Sequence, residues 1–119
     1  MKFIMCPSCN QVFINLISSE QNAHCCNQEM IELKPIENDK DHIPHIRKIG
    51  NFVTITIGKN HPMVSTHHIV FIFIKTNQGF QFKDIRNEKE AKAEFILAKN
   101  EEIENVYIYC NIHLLTSLK

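Results

Sequence analysis

The sequence has no net charge, no tryptophan, no long hydrophobic run and no internal repeat. Thirteen basic and thirteen acidic residues cancel to a formal net charge of +0, so no global field draws the chain to nucleic acid or to an anionic membrane. Any attraction of an anion must be local. The longest uninterrupted apolar run, Ile69 to Ile74, is far short of the roughly 20 residues that span a bilayer, and no membrane partner is expected. The N-terminus has one Lys and reaches Cys6 before an apolar core of signal-peptide length can form. A cytoplasmic location is the expectation.

The 119 residues suffice for one ordinary domain, or for a sandwich-sized domain with a small metal-stapled module attached. With 44% hydrophobic and 22% charged residues, the chain has the composition of a folded globular protein rather than a disordered one. Five cysteines and seven histidines are the compositional anomaly. An odd cysteine count without a secretion signal argues against a disulfide scaffold and towards metal ligation. Four of the cysteines fall in the first 34 residues, whereas six of the histidines and the last cysteine follow. This split implies two metal modules in series. Pro35 to Pro44, with the polar run Glu37-Asn38-Asp39-Lys40-Asp41 inside it, reads as a linker leading into a loop.

Beyond it, Phe52 to Ile57 alternates apolar with semi-polar residues and is β-branched, the pattern of a strand buried on one face; Gly58-Lys59-Asn60 ends it. Ile69 to Ile74 reads as a central strand covered on both sides, preferably by an opposite sheet and otherwise by a partner chain. Asn77-Gln78-Gly79 turns it into a return strand at Phe80-Gln81-Phe82. Glu88 to Glu94 has helix-forming composition, but Ala91, Ala93, Phe95 and Leu97 alternate, which favours a turn leading into a strand. Val106 to Tyr109 is a further strand and delivers Cys110. Short strands joined by turns, without a convincing long helix, point to a mainly β fold built as a sandwich.

Cys6-Pro7-Ser8-Cys9 is a Cys-x2-Cys knuckle, and Cys25-Cys26 completes four thiolates of the kind that bind Zn or Fe tetrahedrally. A zinc ribbon that only staples a small module is the alternative. The vicinal pair speaks against it, since adjacent residues in an extended chain point to opposite sides and meet one ion only through a tight bend. His24 beside the pair reads as a surface residue. A second constellation comprises His42, His61, His67 and Cys110-Asn111-Ile112-His113, placed at loop-like breaks that can meet at one end of a sandwich. His67 and His68 are neighbours and should face opposite ways, so one of them alone reaches a shared metal. Pattern leaves open which one.

The combination is specific. Cys6-x2-Cys9, Cys25-Cys26-Asn27-Gln28-Glu29-Met30, His42-Ile43-Pro44, Gly58, His61-Pro62-Met63-x3-His67-x-Ile69 and Cys110-Asn111-Ile112-His113 together resemble desulfoferrodoxin, the two-iron form of the superoxide reductase family, over nearly the whole chain. The resemblance implies a desulforedoxin-like, rubredoxin-type module over residues 1–35, binding iron through Cys6, Cys9, Cys25 and Cys26, with zinc as a conceivable substitute. It implies an immunoglobulin-like β-sandwich over residues 36–119. There His42, His61, His67 and His113 would be equatorial ligands of a second iron and Cys110 the axial one, which leaves out His45 and His68. It further implies superoxide as substrate, an electron donor such as rubredoxin, and a homodimer.

Four neutral imidazoles and one thiolate place a single negative protein charge on a ferrous ion and leave one position open to a small anion. A thiolate opposite that position donates electron density across the metal, as in haem chemistry, and favours protonation of the product. The family pattern also implies an acid and then a lysine just before the first ligand histidine. Here the order is exchanged: Lys40 stands where the acid is expected and Asp41 where the lysine is. Lys40 is the candidate catalytic residue, reaching the open position from its loop, with Lys59 as a second. Leu114 follows His113 where the family tends to have a small residue; with no tryptophan present, the surroundings of the thiolate are expected to be more apolar than usual. Two other readings stand beside superoxide reduction: a non-catalytic iron-binding or electron-transfer protein, and a zinc-stabilised structural module.

Overall fold

Short strands carry nearly all of the regular structure in the computed structural model, which describes residues 1–59 and 61–118. The expected turn residue Asn60 lies outside the described residues. The chain divides into two units, Met1–Lys34 and Pro35–Lys119.

The first unit contains β1 (Lys2–Met5), β2 (Val12–Asn15), β3 (His24–Cys25), β4 (Gln28–Glu29) and β5 (Ile31–Leu33). β1 is the centre of a three-stranded antiparallel sheet between β2 and β5, and β3 with β4 forms a separate hairpin. Phe3, Ile4, Cys6 and Leu33 are its buried apolar residues. So small a core needs an additional tie to hold its loops.

The second unit runs through β6 (Ile36–Glu37), a single 3₁₀ turn (Lys40–His42), β7 (Pro44–Ile49), β8 (Phe52–Ile57), β9 (Ile69–Thr76), β10 (Gly79–Asp84), β11 (Lys92–Ile96), β12 (Ile103–Cys110) and β13 (Leu114–Leu118). Two sheets result, ordered β10-β9-β12-β13-β6 and β11-β8-β7, and every pairing is antiparallel except that of β13 with β6. Val53, Ile55 and Ile57 of β8 and Phe95 of β11 share one core with Ile72 and Ile74 of β9 and Val106, Ile108 and Cys110 of β12. This is the two-sheet sandwich that the strand pattern implied.

The apolar run in β9 is covered on both faces by different means. The three-stranded sheet covers Ile72 and Ile74. On the other face Phe71 stacks on Tyr109 at 5.4 Å and Phe73 on Phe80 at 5.0 Å, so aromatic side chains from β10 and β12 contribute to the second cover. Glu88 to Glu90 lie in a turn rather than a helix, and Ala91, Ala93, Phe95 and Leu97 are all buried, as their alternation requires.

Pro35 to Pro44 is more than a linker. Ile36 and Glu37 pair in parallel with Thr116 and Ser117, and the 3₁₀ turn follows at once, capped by the Asp39 side chain accepting from the Asp41 N–H. A two-residue strand that pairs only with the far end of the chain leaves no periodicity in its own segment. His67 precedes β9: it bridges to Val64, and the strand begins at Ile69. Among the described residues no helix is long and apolar enough to cross a membrane.

Candidate metal centres

In the first unit the sulfur atoms of Cys6, Cys9, Cys25 and Cys26 lie within 4.8 Å of one another. The knuckle is closed by Asn10, which takes a left-handed φ of 63° and donates its N–H to the Cys6 carbonyl at 2.9 Å. The vicinal pair meets the group through the bend that it requires. Cys25 and Gln28 are paired across the β3–β4 hairpin, and Cys26 and Asn27 form its two-residue turn with φ of 54° and 56°. Two consecutive left-handed residues are the geometry of a type I′ turn. Ser8 in the knuckle donates to Gln28 Oε1 at 2.6 Å and so ties the two halves together.

The electrostatics of this group call for a cation. The Cys9 N–H aimed at its sulfur brings the Cys6 thiol down to about 6. The neighbouring sulfurs, that of Cys6 first, push Cys25 up to about 12. Four clustered sulfurs cannot all ionise beside one another unless positive charge sits between them. A tetrathiolate iron or zinc site fits this donor set. His24 is exposed, turns Nδ1 to the Asn22 carbonyl and stays out of the group.

In the second unit one donor atom each from His42, His61, His67, Cys110 and His113 lies within 4.8 Å of the rest. His42 ends the 3₁₀ turn, His61 and His67 come from the connection between β8 and β9, Cys110 ends β12, and His113 lies in the turn before β13. The rings meet in a closed circuit of T-shaped and tilted contacts. His42 lies 4.7 Å from His61, His61 4.7 Å from His67, His67 5.1 Å from His113, and His113 4.9 Å from His42. The Cys110 sulfur is 3.5 Å from His113 Nδ1 and 3.8 Å from His61 Nε2.

Hydrogen bonds on the outer nitrogens determine what points inward. His42 Nδ1 lies 2.8 Å from Asp39 Oδ2, and His61 Nδ1 lies 2.9 Å from the Pro62 carbonyl oxygen. Both oxygens accept, so both Nδ1 atoms carry the proton. The two Nε2 atoms are then left with lone pairs facing one another at 3.0 Å. Among the described residues, His67 Nε2 is buried without a hydrogen-bond partner. Lone pairs converging in a buried space fit a cation that they share, and imidazole with one thiolate suits ferrous iron. Burial holds His61 below the ordinary imidazole range, and the hydrogen bond from His42 holds Asp39 below the ordinary carboxylate range. Both shifts preserve the ligating protonation state.

His42 and Cys110 are buried, while His113 is exposed, so the group opens to one side. A cavity of about 480 Å³ lies over that side, lined by His61, His67 and His113 and at its mouth by Lys40, Asp41 and Lys59. Gly58 lets the end of β8 approach the 3₁₀ turn. It has φ +59°, donates its N–H to the Ile43 carbonyl at 2.9 Å, and a Cβ there would stand 3.0 Å from the Asp41 carbonyl oxygen.

All nine sequence-derived ligand candidates are thus gathered into two groups. The alternative between His67 and His68 resolves geometrically, for His68 turns Nδ1 to the Val64 carbonyl at 3.0 Å. The positioning roles of Asp39 and Asn111 had no signal in the sequence. Asp39 orients His42. Asn111 accepts from the His68 N–H at 2.8 Å and donates to the Thr66 carbonyl at 3.1 Å, fastening the Cys110 turn to the segment that bears His67. Leu114 adopts φ 62°, a left-handed conformation that disfavours a side chain, which explains why a small residue suits this position.

A family model described as Desulfoferrodoxin matches residues 34–117. Two desulfoferrodoxin homologs are similar over almost the whole chain. That of Archaeoglobus fulgidus is 29% identical over 117 residues, 95% of this chain and 92% of the relative. That of Methanothermobacter thermautotrophicus is 30% identical over 112 residues, 91% and 90% respectively. Among solved structures, the superoxide reductase of Treponema pallidum superposes with a TM-score of 0.85 at 24% identity, covering 99% of this chain and 97% of that one, which shows a shared fold. The one-iron superoxide reductase of Giardia intestinalis gives a TM-score of 0.50 at 26% identity over 66% of this chain and 95% of that one. The four-cysteine group and the four-histidine, one-cysteine group match the two iron sites of desulfoferrodoxin-type proteins.

Proposed function

Because the chain belongs to the desulfoferrodoxin family, we propose that it is a superoxide reductase, reducing superoxide to hydrogen peroxide at an iron held by His42, His61, His67, Cys110 and His113. The observation that carries this reading is the closed circuit of four imidazoles with one thiolate, opening into a cavity at its exposed edge. When bound, the iron supplies the single electron that superoxide accepts. The chain's own residues do the rest. Asp39 and the Pro62 carbonyl fix two rings, and burial of His42 and Cys110 excludes water from the inner side. Lys40, with Lys59 beside it, draws the anion to the mouth in a molecule that has no net charge to attract it from afar.

Electrons come from an external carrier such as rubredoxin. Residues 1–35 serve as the desulforedoxin-like module, whose iron at Cys6, Cys9, Cys25 and Cys26 relays or stores an electron, and residues 36–119 carry the catalytic sandwich. The reading includes a cytoplasmic homodimer; five free thiols suit a reducing compartment. An inert iron or electron-transfer protein is the second reading, favoured by the carboxylate of Asp41 at the cavity mouth. Metal content tests the ligand assignment. Two irons per chain, with a visible thiolate-to-ferric band lost in Cys110→Ser, are expected, whereas zinc alone after growth in ample iron would refute it.

A further inference from the structure

The cavity over the four-histidine group has one more titratable wall, His45. We propose that His45 delivers a proton to the anion reduced in this cavity, an inference that rests on the superoxide reductase reading. The reaction takes up one electron and two protons per superoxide to give hydrogen peroxide. The electron would be supplied by the iron that His42, His61, His67, Cys110 and His113 would hold, replenished by the external carrier. The protons must come from side chains or water within the cavity.

The other candidates are committed or mismatched. His42 and His61 spend their Nδ1 protons on Asp39 and the Pro62 carbonyl, and turn their remaining nitrogens inward. As side-chain classes, ammonium groups release their protons only near pH 10 and carboxyls have lost theirs by about pH 4. Imidazole is the side chain that exchanges protons near neutrality. Of the two histidines outside the ligand set in this unit, His68 is tied to the Val64 carbonyl, and only His45 lines the cavity.

Placement supports the task. His45 lies on β7 opposite Thr56 of β8, which in turn faces Lys92 of β11, so all three project from the outer face of the smaller sheet. The side chain is exposed, and among the described residues no hydrogen bond engages its ring. It borders the cavity on one side and solvent on the other, from which it can be reprotonated. The second proton comes from water. The charged groups around it are Lys40 and Asp41 from the 3₁₀ turn, Lys59 beyond β8, and Arg47, Lys92 and Glu94 on its own sheet face, with Glu90 paired to Lys92. The positive groups among them raise the concentration of the anion beside His45.

The test uses full-length iron-loaded protein mixed rapidly with superoxide between pH 5.5 and 9. His45→Gln should keep its iron and its visible band, slow hydrogen peroxide formation about 100-fold and flatten the pH profile near neutrality, with added imidazole restoring part of the rate. A second readout needs no turnover. In zinc-substituted wild-type protein, nuclear magnetic resonance should show azide raising the pH at which His45 loses its proton, because a neighbouring anion favours the charged ring. An unchanged rate and profile in His45→Gln, or a titration indifferent to azide, overturns the role of His45 while leaving the reductase intact. Failure of the wild-type protein to react with superoxide at all removes the function and this inference together.

Discussion

At the scale of single side chains, the outer hydrogen bonds of the imidazoles govern the metal site. Asp39→Ala should remove the acceptor that orients His42 and lower iron affinity 10–100-fold without unfolding the sandwich, measured by competition with a chelator. The same residues give the metal-free protein an acid sensitivity. His61 is held below its ordinary 6.5, so between that value and its folded one the unfolded chain binds more protons, and stability falls as pH drops through this window. Asp39, held below 3.8, adds a second loss at lower pH. Melting temperature after chelation should therefore decline as pH falls below 6.5; a rise on acidification through that window would contradict the burial of neutral His61. The four cysteines were legible from their spacing, and the four histidines with Cys110 from their clustering together with the family resemblance. Asp39 was not, since an acid within a polar run looks like any solvated charge. The residue pattern alone left His67 and His68 open; the family resemblance chose His67, and His68 turns to the Val64 carbonyl instead.

At the scale of elements, the end of β8 and the 3₁₀ turn depend on Gly58. Gly58→Ala should cost about 1–2 kcal/mol from its left-handed φ alone, and a Cβ 3.0 Å from the Asp41 carbonyl oxygen should also displace the turn bearing Lys40. Denaturant unfolding measures the first effect, and a slower reaction with superoxide reports the second. Strands with their own signature were legible: β8 by alternation, β9 by a continuous apolar run, β11 by the spacing of Ala91, Ala93 and Phe95. β6, β7 and β13 were not. β6 has two residues, and β7 is mostly exposed edge in which His45, Arg47 and Lys48 break the apolar pattern. β13 carries Thr116 and Ser117 into buried positions where apolar residues are the rule. Each is specified by its partner strand more than by its own residues.

At the scale of the whole molecule, two units each bring a metal group, and they differ in what surrounds it. The four sulfurs sit in a small module with few buried apolar residues, whereas the five-donor group rests on a full two-sheet core and opens into a cavity. The first arrangement suits a centre that holds structure and electrons, the second one that meets a small substrate. The most direct test mixes the fully reduced, iron-loaded protein with superoxide under anaerobic conditions and measures products alongside the visible band of the oxidised thiolate site. One hydrogen peroxide per superoxide consumed is expected, with one ferrous centre of the four-histidine group oxidised alongside it and no oxygen released. Oxygen evolution at half the superoxide consumed, or a ferrous site left unchanged, would contradict the proposed function.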